Sequence, residues 1–252
     1  MRTCVIHFSP TGGTLRVLEL LARELPSPRF LDLTDRRQAW SRFRFGPEDL
    51  CLVGVPSFGG RAPALAMERL GLLRAEGAAA IPVCVYGNRA YEDTLLELAQ
   101  GLERVGFRVT GAVAAVAEHS IMRQFASGRP DPADQAELAS FSRRLWEAAS
   151  SRGTVAVPGS VPYKPSHGSA LHPRATAACI RCGLCAERCP AGAIPRDDPT
   201  GLDEALCIGC MRCVSLCPQQ ARQADPAMVE ALTSRLSPLC SGRKENQLFL
   251  PE

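Results

Sequence analysis

The sequence predicts an α/β chain: a doubly wound, five-stranded parallel sheet, then a small α+β domain rich in cysteine. Three observations carry this. Short β-branched, apolar runs alternate with helical patterns up to about residue 150. A Pro-, Gly- and Ser-rich stretch separates that half from the rest. Eight of the twelve cysteines then fall between residues 179 and 217. The expected division is 1–150 for the sheet domain, 151–174 for the linker, 175–224 for the cysteine-rich domain and 225–252 for a C-terminal helix and tail.

TCVIHF (3–8) reads as a buried strand, and LRVLELLAREL after it has Leu15, Leu18, Leu21, Ala22 and Leu25 on one helical face. Between them lies SPTGGT (9–14). A loop joining a strand to a helix N-terminus turns free N–H groups and the positive end of the helix dipole toward an anion. Ser9, Thr11 and Thr14 add hydroxyls, and Gly12 and Gly13 let the backbone approach a phosphate. The lysine of a Walker loop is missing, and so is Gly-x-Gly-x-x-Gly, although Asp32 follows Gly12 by 20 residues, where a ribose-binding acid would stand. Ser-x-Thr-Gly-x-Thr resembles the loop with which flavodoxins hold the phosphate of FMN.

LCLVGVP (50–56) and AIPVCVYG (80–87) read as further buried strands, running into SFGGRAP (57–63) and NRAYED (88–93). Residues 91–104 have helical amphipathicity, FRVTGAVAAVA (107–117) is the fifth strand, and GRPDPADQ opens a helix reaching about residue 150. The strand order suggested is 2-1-3-4-5. In such a sheet, ligands sit beyond the carboxyl ends of the strands. Phe58 is placed to stack on a flavin ring and Tyr86 or Tyr91 to cover it, while Gly59, Gly60 and Gly87 let amides reach its polar atoms. Arg61 and Arg89, if they face the flavin, would stabilise its reduced anionic form and raise its potential; the alternative is that they bind solvent or the FMN phosphate. His119 and Ser120 end the fifth strand near that edge; His119 is either a proton donor or a histidine satisfied by hydrogen bonds. Cys4, Cys51 and Cys84 lie within strands and read as inert thiols. Cys240 has no evident role.

CIRCGLCAERCP (179–190) and CIGCMRCVSLCP (207–218) share Cys-x2-Cys-x2-Cys-x3-Cys-Pro and agree at six of twelve positions, which indicates a duplication. Tetrahedral zinc typically uses Cys pairs separated by a longer loop. A disulfide scaffold suits a small exported chain. Three cysteines at three-residue steps instead wrap three corners of an iron–sulfur cube, and the fourth ligates the other cluster. One [4Fe–4S] cluster is therefore expected on Cys179, Cys182, Cys185 and Cys217, and a second on Cys207, Cys210, Cys213 and Cys189. Pro190 and Pro218 turn the chain away, and Gly183 and Gly209 let it bend around sulfide. This segment resembles a bacterial two-cluster ferredoxin.

FSPTGGT, GVPSFGGRAP, VYGNRAYED, AEHS, GRPD and the paired cysteine runs occur in the order found in fused flavodoxin–ferredoxin proteins, sometimes called ferrodoxins. The chain is similar to that family over nearly its whole length. The resemblance implies a flavodoxin-like sheet domain and two cofactor types: FMN and a pair of [4Fe–4S] clusters. FMN would be held by Ser9, Thr11, Gly12, Gly13, Thr14, Ser57, Phe58, Gly59, Gly60, Tyr86, Gly87, Asn88, Arg89, Tyr91 and Asp93. Gly13 stands where many flavodoxins carry Asn, which leaves recognition there to the backbone.

The formal net charge is only +3, without a basic block, so a nucleic-acid footprint is not expected. No run of about 18 apolar residues predicts a membrane span. MRTCVIHF does not read as an export leader, and a cytoplasmic location is expected. The function expected is electron transfer among FMN, the clusters and external redox proteins, by a carrier rather than a substrate-converting enzyme. Two alternatives stand beside it: an FMN-dependent reductase fed by the clusters, with a substrate pocket beside Phe58, and a cluster-based redox sensor or docking module.

Overall fold

The computed structural model describes residues 2–166 and 168–252. Strands β1 (Arg2–His7), β2 (Arg29–Asp32), β4 (Asp49–Pro56), β6 (Ala79–Tyr86), β7 (Arg108–Val109), β8 (Ala112–Val116) and β11 (Gln247–Phe249) build one seven-stranded sheet. Short pairs stand apart from it: β3 (Arg44–Phe45) with β5 (Arg74–Ala75), and β9 (Arg174–Ala175) with β10 (Arg222–Gln223). The helices are α1 (Gly13–Leu21), α2 (Ala64–Leu70), α3 (Thr94–Arg104), α4 (Pro132–Ala148), α5 (Leu184–Arg188), α6 (Arg212–Leu216) and α7 (Pro226–Cys240).

The parallel part runs β2-β1-β4-β6-β8. Counted as five strands, that is the flavodoxin-like order 2-1-3-4-5. Helices cover both faces, so successive strand residues enter different cores. Leu52, Ile81, Val83, Val85 and Val113 pack with Leu18, Leu138 and Phe141 of α1 and α4. Cys51, Val53, Val55 and Ala80 pack with Leu70, Leu98 and Leu102 of α2 and α3. An added Cβ on Gly54 would stand 2.6 Å from Leu18 Cδ1, so α1 lies directly on that glycine. Helix α4 starts as its sequence predicts: Asp131 caps it, Pro132 occupies the first turn, and Asp134 completes a capping box.

One expectation needs correction, and the tail supplies a strand of its own. The fifth strand is broken. Ala79 and Ala80 pair with Arg108 and Val109, an offset of 29 residues; Val83 pairs with Val113, an offset of 30. The extra residue is a bulge at Thr110–Gly111, beside Pro82 in the central strand, which has no N–H for the ladder. The C-terminal tail packs back onto the sheet as a strand: β11 pairs antiparallel with β8, Leu248 opposite Val113. It thereby covers what would be an open edge.

Asn246 fixes that return. Its Oδ1 accepts from Val116 N (2.9 Å), and its Nδ2 donates to Asp134 (3.1 Å) and Glu137 (2.6 Å). Asp134, fully buried, also accepts from Arg129. Replacing Asn246 by Ala leaves a strand N–H unpaired, at a cost of about 1–3 kcal/mol. The expected outcome is a lower urea midpoint, with amide exchange accelerated in β11 before β1; unchanged exchange in 247–249 would mean that Asn246 does not anchor the strand.

Candidate functional site

The two cysteine runs fold alike. Cys179 and Cys182 lead into α5, and Cys207 and Cys210 into α6. Positive φ occurs at equivalent places in both runs: Arg181 (56°) and Gly209 (61°), then Gly183 (77°) and Met211 (60°). Glycine serves one of the two positions in each run, and a side chain bears the left-handed conformation at the other. Alternating conformations of this kind turn successive N–H groups toward one concavity, which suits an anion.

The fourth cysteine of each run crosses over. Cys217 joins Cys179, Cys182 and Cys185 around one cavity, whose apolar wall includes Ile180, Leu184 and Pro199. Burial alone would push the Cys217 thiol up, but the N–H groups of Ala221, Gln219 and Arg222 hold it below its ordinary value. The Ala221 N–H lies 3.2 Å from its Sγ. Cys189 lies with the second run. Burial pushes Cys213 up to about 12 and Cys210 up to about 11, and the charge of Cys189 opposes ionisation of both, and of Cys207. Among the described residues no three His, Cys, Asp or Glu groups converge tightly enough for a single metal ion. Four thiols set in a largely apolar wall suit a cluster of iron and sulfide.

At the carboxyl edge of the sheet, the loop after β1 has the features of an anion cradle. Gly12 has φ 92° and caps α1 without a side-chain hydrogen bond. A Cβ there would meet nothing within 4 Å, so the loop opens outward. Among the described residues, none accepts from the N–H groups of Gly12, Gly13 and Thr14. Ser9 is already committed, since its Oγ accepts from Leu15 N at 2.9 Å. Thr14 is 3% exposed, while Thr11 is half-buried. Asp32, the position of a ribose-binding acid, instead folds its own turn by accepting from Thr34 N and Thr34 Oγ1.

The next two loops touch each other. Asp93 N donates to Gly60 O at 3.0 Å, and a Cβ on Gly60 would fall 1.6 Å from Glu92 Oε2. Phe58 is half-buried, and Gly59, with φ 61°, faces open space. Ser57 Oγ bonds Thr94 Oγ1 at 2.8 Å. Gly87 is tight: an added Cβ would stand 2.6 Å from His119 Cδ2.

Several expected flavin contacts have other partners. Tyr86 packs in a core cluster with Leu95 and Val116, and its ring lies 5.2 Å from that of Tyr91. Tyr91 in turn bonds Gln247 of β11. Asp93 accepts from Ser160 N (2.9 Å) and Lys164 N (2.7 Å), which pins the linker. Asn88 donates to the carbonyls of Cys240 and Gly242. Arg61 is paired with Glu97 through both of its ends, and Arg89 with Glu92. Each of these two arginines therefore faces a carboxylate that offsets its charge. Cys240 packs with Met122 and Phe125 in a small apolar cluster.

Three arginines join the cysteine runs to the sheet domain, and sequence reasoning passed over all of them; the outermost, Arg37, donates to Glu187 at 3.4 Å. Arg69, 7% exposed, donates to Leu33 O and to Pro190 O, each at 2.5 Å. Arg212, between Cys210 and Cys213, donates from Nε to Arg188 O (3.1 Å) and from Nη1 to Pro10 O (3.1 Å) and Ser9 O (3.4 Å). The second run thus lies against the anion loop, and Ile208 packs on the sheet's core. The signal was present: where the first run has Leu184, the second has Arg212.

Residues 178–221 match a family described as a 4Fe-4S dicluster domain. No curated protein matches the chain. Among solved structures, an archaeal flavodoxin is similar at 13% identity and TM-score 0.41, over 60% of this chain and 100% of its own. Flavodoxin 2 from Bacillus cereus is similar at 11% and 0.44, over 58% and 99%. The apo form of an NADH:FMN oxidoreductase is similar at 18% and 0.43, over 60% and 92%. The chain joins a sheet of flavodoxin-like order to an iron–sulfur dicluster segment, and among the described residues no helix is long and apolar enough to cross a membrane.

His119 resolves as a structural acceptor. Its Nδ1 accepts from Ile121 N (3.2 Å) and Met122 N (3.1 Å). Burial, then the charge of Arg89, lowers its pKa to about 4. Between about pH 6.5 and 4 the unfolded chain binds a proton that the folded one refuses, so stability falls as pH falls through that window. An NMR titration should find the His119 ring neutral down to about pH 4; a midpoint near 6.5 would contradict this turn geometry.

Proposed function

We propose that the chain is an electron-transfer protein that holds one FMN and two [4Fe–4S] clusters and exchanges electrons with external redox proteins. One observation carries this reading: the crossed grouping of eight cysteines, with the second group fastened to the anion loop through Arg212. The donor sets suit the groups. Four sulfurs per cluster leave no corner for a substrate. The open Gly12, the free N–H groups of Gly12, Gly13 and Thr14 and the hydroxyl of Thr11 suit a phosphate monoester.

When bound, the clusters would supply single-electron transfer and FMN one- or two-electron transfer, so that a pair donor and single-electron carriers can meet on one chain. The protein's own part is positional. Arg212 and Arg69 hold the Cys189 segment from two sides. Asp93 and the Arg61–Glu97 pair tie down the linker, whose Lys164 carbonyl accepts from Arg61 at 2.5 Å. The groups are thereby kept at a fixed separation instead of being tethered by a loose chain.

A second reading, an FMN-dependent reductase, is supported by a polar cavity. It lies beside Asn88, Phe125, Arg129 and Arg243, rather than beside Phe58 as that reading first implied. It predicts steady oxidation of NAD(P)H or reduction of a quinone by the loaded protein, which a pure carrier would not sustain.

Anaerobic reconstitution tests the main reading. About eight iron, eight sulfide and one FMN per chain are expected. Iron-free protein would overturn it, and protein that refuses added FMN would confine it to the cysteine-rich segment. Crossed ligation makes a sharper forecast. Cys217→Ser should damage the cluster on the first run and spare the second; Cys189→Ser should do the reverse. Selective loss of each variant's own-run cluster would refute the crossing.

A further inference from the structure

We infer that anion binding at the loop after β1 and cluster formation on Cys207, Cys210, Cys213 and Cys189 are thermodynamically coupled, with Arg212 as the coupling residue. This rests on the reading that the loop takes the phosphate of FMN.

Arg212 touches every segment involved. Its backbone opens α6 between two cysteines of the second group. Its Nε bonds the carbonyl of Arg188, the residue before Cys189, the third segment of that group. Its Nη1 bonds the carbonyls of Ser9 and Pro10, at the start of the loop. Carbonyls held by a guanidinium fix the peptide planes of the loop. The N–H groups of Gly12, Gly13 and Thr14 follow them in the chain and are left for an anion. The cation also adds a positive charge beside an otherwise uncharged cradle.

The fastening is uneven: the first run is met at Glu187 by Arg37, a residue outside the anion loop, at 3.4 Å. Arg69 holds Pro190, next to Cys189, and Arg36 lies 2.7 Å from where a Cβ of Gly192 would stand. The first run presents instead an exposed Cys182 and an Ile180 that is 62% exposed. Among the described residues, only the second group therefore shares a residue with the anion loop. Helix α6 has five residues and no side-chain cap, too short to hold its shape without the ligands around it. When that group is empty, Arg212 loses its fixed position and the loop loses its brace. Coupling is reciprocal, so a bound phosphate monoester must stabilise the second cluster by the same factor.

The test measures FMN affinity anaerobically by flavin fluorescence, with iron and sulfide verified in each sample. Wild type and Arg212→Ala, both carrying their clusters, should differ about tenfold in Kd, and Arg212→Lys should recover part of the loss. Riboflavin, which lacks the phosphate, should bind both alike. Inorganic phosphate should compete with FMN better in wild type than in Arg212→Ala. Equal FMN affinities would overturn the coupling and leave the FMN reading standing; wild type that binds no FMN would overturn both. Should Arg212→Ala fail to retain clusters, wild type alone decides. Adding FMN must slow chelator-driven loss of one of its two clusters severalfold; equal rates with and without FMN would overturn the proposal.

Discussion

The structure depends on one geometric constraint. A run of cysteines at three-residue steps supplies three thiols to a common space, and the fourth must come from elsewhere in the chain. In the proposed arrangement it comes from the other run: Cys217 lines the cavity of the first, and Cys189 acts on the thiols of the second. Neither half of the duplicated segment can be completed alone, so the two close as a unit around β9 and β10. The buried Arg222 reinforces this closure by donating to the carbonyls of Pro173 and Gly201. Backbone carbonyls, rather than a large apolar core, accept much of the ordering that such a small segment needs.

A second closure binds this unit to the sheet. The linker is anchored through backbone N–H groups at Asp93, and Gly159 lies so close to Leu96 that an added Cβ would stand 2.6 Å away. The chain then passes through the cysteine runs and α7 and returns as β11 beside β8. The cysteine-rich segment is therefore held at both ends by the same domain, and in the middle by Arg69 and Arg212. The segment is thereby held in place against the sheet instead of hanging on a loose chain.

Much of this was legible in the sequence. Apolar runs and their turns give the parallel strands and their order. The cysteine spacing marks the segment that matches a 4Fe-4S dicluster domain, and the Ser-Pro-Thr-Gly-Gly-Thr stretch marks the strand-to-helix loop whose N–H groups stay open. What was not legible came from contacts across long stretches of chain. Tyr91, Asn88 and Asp93 lie on the loop where a ligand would be met, yet their polar atoms go to residues 67–156 positions away. Composition at a loop tip does not reveal whether a distant segment has claimed it. Two signals were local and went unread: Pro82, which foretells an interrupted neighbouring strand, and Arg212, which breaks the likeness of the two runs at the place where they contact different surroundings.

The most direct measurement is the anomalous scattering of iron in crystals of anaerobically reconstituted protein. Two iron-rich centres are predicted. One should be ringed by Cys179, Cys182, Cys185 and Cys217, the other by Cys207, Cys210, Cys213 and Cys189, with Arg212 reaching from beside the second to the carbonyls of Ser9 and Pro10. A single centre, uncrossed ligation, or an Arg212 turned away from that loop would contradict the account.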